Sequence, residues 1–129
     1  MYPEEFQYTK EHEWIRVDKD TATIGITDHA QKELGDIVYV ELPSAGDPVT
    51  AAETFGTVES VKAVSEVFSP VTGEVTAVNG KLQDHPELLN SDPHAAAWLI
   101  RVKLSDPEEV DKLMSSEEYE AYIQEAGSH

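Results

Sequence analysis

Phe55-Gly56-Thr57-Val58-Glu59-Ser60-Val61-Lys62-Ala63, followed by Ser69-Pro70-Val71-Thr72-Gly73-Glu74-Val75, is the stretch whose reading decides the fold. Phe55 to Val61 and Glu66 to Phe68 read as two short strands around a tight connection at Val61-Lys62-Ala63-Val64. Ser69 to Gly73 is a turn, and Glu74 to Val78 alternates again. Lys62 is isolated. Between residues 33 and 80 the acids are Glu33, Asp36, Glu41, Asp47, Glu53, Glu59, Glu66 and Glu74, while Lys62 is the one base and histidine is absent. A solvated turn lysine that relieves local repulsion accounts for this pattern, as for most surface lysines. A lysine displayed for covalent modification accounts for it too: a hairpin tip exposes the amine on a rigid base, and the acids mark it.

Outward from this stretch the chain stays strand-rich. Glu13 to Val17 and Thr21 to Ile26 flank a turn at Asp18-Lys19-Asp20, and Ala22, Ile24 and Ile26 share one face. Asp28 is a candidate cap for a short helix through Ala30 and Leu34, with Gly35 as its stop. Ile37 to Leu42 is a β-branched run broken by Pro43 to Pro48. One helical turn is expected at Pro86 to Leu89, and the last strand at Trp98 to Lys103. Gly46-Asp47-Pro48-Val49-Thr50 echoes Gly73-Glu74-Val75-Thr76, as two similar halves packed face to face would. The character changes at 105. Asp106 caps and Pro107 opens a helical segment, with Ser105 and Glu108 as a competing capping box. Ser115-Ser116-Glu117-Glu118 repeats the signal, and Tyr119, Tyr122 and Ile123 form an apolar stripe. Residues 105–126 are thus expected as a helical appendage within one domain, 1–129.

The chain has 129 residues, with nine Lys and Arg against 26 Asp and Glu, giving a formal charge of −17 at pH 7. Such a surface repels phosphate backbones and anionic membranes, so neither nucleic acid nor membrane is an expected partner. It steers the chain toward basic patches on other proteins. With no cysteine, any redox sulfur must come from a group the chain carries. No signal or transit pattern opens the chain, and a bacterial cytoplasmic protein is expected. The histidines at 12, 29, 85, 94 and 129 show no metal-ligand spacing, so no metal is expected. The familiar catalytic motifs are missing, and no acid–base pair stands out among so many carboxylates.

The Lys62 stretch with Ser69-Pro70-Val71-Thr72-Gly73 resembles the attachment region of the lipoyl and biotinyl domains. Val61 and Ala63 replace the methionines that flank a biotinyl lysine. The variant Glu59-Ser60-Val61-Lys62-Ala63 resembles the H protein family of the glycine cleavage system. So do His12-Glu13-Trp14, Ala22 to Asp28, Ala30-Gln31, Leu34 to Val38, Val40 to Pro43, Leu89 to Pro93 and Trp98-Leu99-Ile100. One departure stands out: His94-Ala95-Ala96-Ala97 occupies a loop where the family carries an aromatic and glycines, so a different loop path is expected.

The resemblance implies a mainly β barrel-sandwich hybrid of the lipoyl-domain type, with short helices and a C-terminal helical segment. It implies lipoic acid as cofactor on Lys62, with Glu59, Ser60, Val61, Ala63 and Glu66 as the recognition flank. It implies a carrier and not an enzyme. Glycine decarboxylase would load the arm with an aminomethyl group, aminomethyltransferase would unload it, and dihydrolipoyl dehydrogenase would reoxidise the dithiol. Lipoate ligase or octanoyltransferase would install the arm. By the same resemblance Glu13, Ile26 and Glu66 line a cleft for the loaded arm. On the residues alone these three read as surface charge or core. Two other readings stand beside the shuttle: an H-like donor that passes lipoate to other enzymes, and an acidic interaction domain with an unmodified Lys62.

Overall fold

The computed structural model describes residues 2–127. Its strands are β1 (Gln7–Tyr8), β2 (Glu13–Asp18), β3 (Thr21–Ile26), β4 (Ile37–Glu41), β5 (Pro48–Val49), β6 (Thr54–Ser60), β7 (Val64–Phe68), β8 (Gly73–Val78) and β9 (Ile100–Leu104). Its helices are α1 (Asp28–Leu34), α2 (Lys81–Asp84), α3 (Leu88–Ser91) and α4 (Ser116–Gly127), with a 3-10 turn at Pro107–Lys112. The strands form a sheet in the order β1-β2-β3-β9-β8-β5 and a smaller one in the order β4-β6-β7. Every pairing is antiparallel. This is a barrel-sandwich hybrid, mainly β, with short helices and a C-terminal helix.

One core unites the two sheets. Ile15, Ile24, Val75, Ile100 and Val102 from the larger sheet and Ile37, Val40, Val58 and Val67 from the smaller all belong to it. Ala22, Ile24 and Ile26 are buried on the expected face. Thr23 is buried on the other face of β3, and both sides of that strand are therefore covered. The second cover is aromatic: Tyr2, Phe6, Tyr8, Trp14 and Tyr119 form a separate cluster. Tyr8 stacks on Tyr119 with centroids 4.8 Å apart, and Phe6 stacks on Trp14 at 4.5 Å. Each such pair adds roughly 1 kcal/mol to the burial of its rings.

Several local expectations are corrected. Thr27, not Asp28, caps α1: its hydroxyl accepts from the Ala30 amide, and Asp28 opens the helix and pairs with Lys32. Gly35 stops it as expected, at φ 82°, in the region where a Cβ is strained. Two short helices, α2 and α3, replace the single turn expected at 86–89. The last strand starts at Ile100, because Trp98 and Leu99 instead close the loop from Asn79. β1 and β5 were not expected; two residues are too few for a period. The two echoing segments do not face each other across the core. They pair edge to edge, Pro48 opposite Glu74 and Val49 opposite Gly73.

At the C-terminal end the Asp106 cap is chosen over Ser105, with its carboxylate accepting from the Glu108 amide. The segment it opens is 3-10 and not α. Ser115 and Glu118 form a reciprocal capping box. α4 then docks through Tyr119, which is fully buried. In the departing loop, residues 94–97 all avoid positive φ, so the segment needs no glycine. His94 turns inward, and its Nε2 accepts from the Asp28 amide at 3.1 Å.

Trp14 lies directly on its strand partner, Gly25. A Cβ at 25 would come within 2.6 Å of the indole ring. The indole is held from behind by Phe6, and its N–H donates to the Pro93 carbonyl at 2.9 Å. Gly25→Ala is therefore expected to destabilise the protein by about 2 kcal/mol, an overpacking cost measurable by urea unfolding.

Candidate functional site

The hairpin of β6 and β7 projects Lys62 from its tip. Alternation sets this up: Val58 and Ser60 point inward and are buried, so Glu59 points out. Ser60 then closes the turn. Its amide donates to the Ala63 carbonyl at 2.8 Å. Its hydroxyl oxygen accepts from the amides of Lys62 and Ala63 at 3.3 and 3.1 Å. The Val61 amide donates to the Asp36 carbonyl at 3.0 Å, pinning the tip to the start of β4.

That start is itself anchored by Asn90 of α3. Its amide donates to Gln31 Oε1 and the Gly35 carbonyl, and its Oδ1 accepts from the Ile37 amide. The Lys62 stem passes the end of α1: a Cβ placed on Gly35 would stand 3.7 Å from Lys62 Cε. Among the described residues, the Lys62 amine enters no ion pair. Converting it to an amide removes no structural contact.

The residues that flank Lys62 are exposed. Val61 and Val64 are 70% and 64% exposed, so apolar side chains surround the amine. Val38 and Tyr39 of β4 are exposed apolar side chains as well. Sequence reading missed this exposure, because an exposed valine in a β-branched run looks like core. Glu59 is exposed opposite both Tyr39 and Val64, and Glu66 is exposed opposite Thr57.

Glu13 and Ile26 are direct partners in β2 and β3. Ile26 is buried in the main core. Glu13 is only 3% exposed. Its carboxylate accepts from the Thr9 hydroxyl at 2.7 Å and from the Phe68 amide at 3.1 Å. The second bond crosses from the larger sheet to the smaller and ends two residues from Glu66. A shallow groove of about 170 Å³, lined by Glu11, Ala52 and Phe68, opens at the same place. Burial pushes the Glu13 carboxyl up to about 7, against the two hydrogen bonds that favour its charged form.

Sequence spacing gave the histidines no ligand set, but the fold brings two of them together. His12 and His29 have ring centroids 4.5 Å apart.

The Glu13 shift has a sign. The folded chain holds a proton that the unfolded chain releases near pH 4.5, so stability falls as pH rises from about 4.5 to 7. Glu13→Gln cannot ionise. The stability lost between pH 5 and pH 8 is expected to be smaller in this variant by about 2 kcal/mol, read from urea unfolding at both pH values.

The chain matches known proteins along most of its length. The family model described as glycine cleavage H-protein matches residues 6–126. A glycine cleavage system H protein of Halothermothrix orenii is 56% identical over 123 residues, covering 95% of this chain and 96% of that one. One from Koribacter versatilis is 54% identical over 128 residues, covering 99% and 98%. The crystal structure of a glycine cleavage system H protein from Mycobacterium marinum superposes with a TM-score of 0.89 at 35% identity, covering 95% of this chain and 99% of that one. With its lysine-tipped hairpin, its two-sheet architecture and these full-length matches, the chain belongs to the glycine cleavage H-protein family.

Proposed function

We propose that this chain is the lipoyl carrier of a bacterial glycine cleavage system, working in the cytoplasm, with lipoic acid held in amide linkage to Nζ of Lys62. The observation that supports it most directly is an exposed lysine, without an ion pair among the described residues, on a turn locked by Ser60. The bound group supplies a pair of redox-active sulfurs, which a chain without cysteine does not have.

The chain's own residues do the presenting. The Ser60 bonds hold the backbone of the turn fixed while the lysine stem stays free to swing. A ligase or octanoyltransferase has open access to the amine, with Val61 and Val64 as its apolar footing and Glu59 and Glu66 as charged marks. Acylation removes the last base between residues 33 and 80, leaving that stretch of the chain wholly acidic. Acidic charge of this kind speeds encounter with successive partners without slowing release. The partners are glycine decarboxylase, aminomethyltransferase and dihydrolipoyl dehydrogenase. Tethering raises the effective concentration of the carried group at each.

The carrier is not itself an enzyme; its contribution to the chemistry is shelter. In this reading Glu13, Ile26 and Glu66 would line the cleft that holds the loaded group. The Glu13 carboxylate would pair with the protonated amine of the cargo, and Ile26 would cover its chain.

Intact mass of protein expressed with active lipoylation tests the attachment. One lipoyl amide is expected on the wild type and none on Lys62→Arg. The exposed substitution should leave stability within about 0.5 kcal/mol. Modification persisting in Lys62→Arg, or absent from the wild type, overturns the attachment. Reconstitution with glycine decarboxylase and aminomethyltransferase tests the shuttle. Lipoylated protein is expected to support glycine–bicarbonate exchange. A lipoylated protein that supports none overturns the shuttle and favours the lipoate-donor reading.

A further inference from the structure

A second cluster of chemistry lies away from the hairpin tip. His12 sits in the turn between β1 and β2, and His29 and Glu33 sit one helical turn apart on α1. One ligand-capable atom from each residue lies within 4.8 Å of the other two. Glu33 contacts Nε2 of His29 across this i,i+4 spacing. Two imidazoles and one carboxylate are a ligand set suited to borderline divalent metals, and i,i+4 spacing on a helix presents two of the three together.

A buried relay behind the cluster gives it a support that a chance cluster would not have. Nδ1 of His12 is 2.8 Å from the Tyr119 hydroxyl, which is 2.7 Å from the Thr27 hydroxyl. Tyr119 and Thr27 are both fully buried. When Nδ1–H of His12 donates to Tyr119, and Tyr119 donates to Thr27, the lone pair lies on Nε2, the nitrogen left for a ligand. Metal-binding histidines are held in this way by a partner on their second nitrogen, which fixes ring and tautomer.

We propose that His12, His29 and Glu33 form a binding site for one borderline divalent metal ion of the zinc class, with water completing its coordination. The ion would join the β1–β2 turn to α1 and, through Tyr119, to α4. Because α1 ends at Gly35 beside the Lys62 stem, the same ion would stiffen the floor on which the arm is rooted. The site uses none of the residues of the proposed arm cleft and does not depend on lipoylation.

Titration of the tag-free, unmodified full chain with zinc chloride at physiological salt tests the site. Calorimetry is expected to show one saturable equivalent, undisturbed by excess magnesium. Zinc should also raise the Tm. His29→Asn and Glu33→Gln, both at solvent-accessible positions, should each weaken binding about tenfold or more. Tyr119→Phe, which leaves all three ligands in place, should weaken it as well. His85→Asn, outside the cluster, should leave it unchanged. The absence of a saturable equivalent, displacement by magnesium, or undiminished binding in His29→Asn would each overturn the proposal. His29→Asn keeps the test decisive even if Tyr119→Phe fails to fold.

Discussion

Burial of one face of the small sheet is the constraint on which the functional end depends. Val40, Val58 and Val67 point into the shared core, and β6 alternates by two from Val58 to its end. Once Val58 is inward, Ser60 must be inward too, and its hydroxyl comes to lie beneath the turn. Glu59 is then outward, and the next two residues leave the sheet. A register slip of one residue would exchange these roles and turn Ser60 to solvent. The presentation of Lys62 is thus a consequence of core packing in β6, enforced by the hydrogen bonds that Ser60 makes.

The two sheets are also joined by polar contact. Glu13 of the larger sheet accepts from the Phe68 amide of the smaller. A buried carboxylate is costly, and its two hydrogen bonds offset only part of that cost. Apolar residues would join the sheets more cheaply. Its partner Phe68 is two residues from Glu66 and lines a small groove, and burial pushes the Glu13 carboxyl up to about 7. Around the opposite face of β3, aromatic stacking performs the corresponding structural task, and it is there that α4 is fastened by Tyr119.

The hairpin, its lysine and the acid pattern around it were legible in the sequence, because strand alternation and turn chemistry are local properties. The barrel-sandwich class was implied by the family resemblance that the Lys62 region and the ordered motifs from His12 to Ile100 carry. Caps were legible to within one residue: Asp106 and Ser115 act as read, while Thr27 displaced Asp28 because its hydroxyl reaches the Ala30 amide. The exposure of Val38, Tyr39, Val61 and Val64 was hidden. A β-branched run reads as buried until the neighbours that would cover it are known.

By itself the sequence determined where the chain turns, which residues alternate and which lysine stands alone among acids. Those properties depend on residues within a few positions of one another. Only the tertiary structure decided which distant side chains meet. It set Glu13 against Phe68, 55 residues away, and Tyr119 against Thr27, 92 residues away. It also brought the rings of His12 and His29 to 4.5 Å, centroid to centroid. Such meetings follow from the closure of two sheets on one core, and no local period in the chain encodes them.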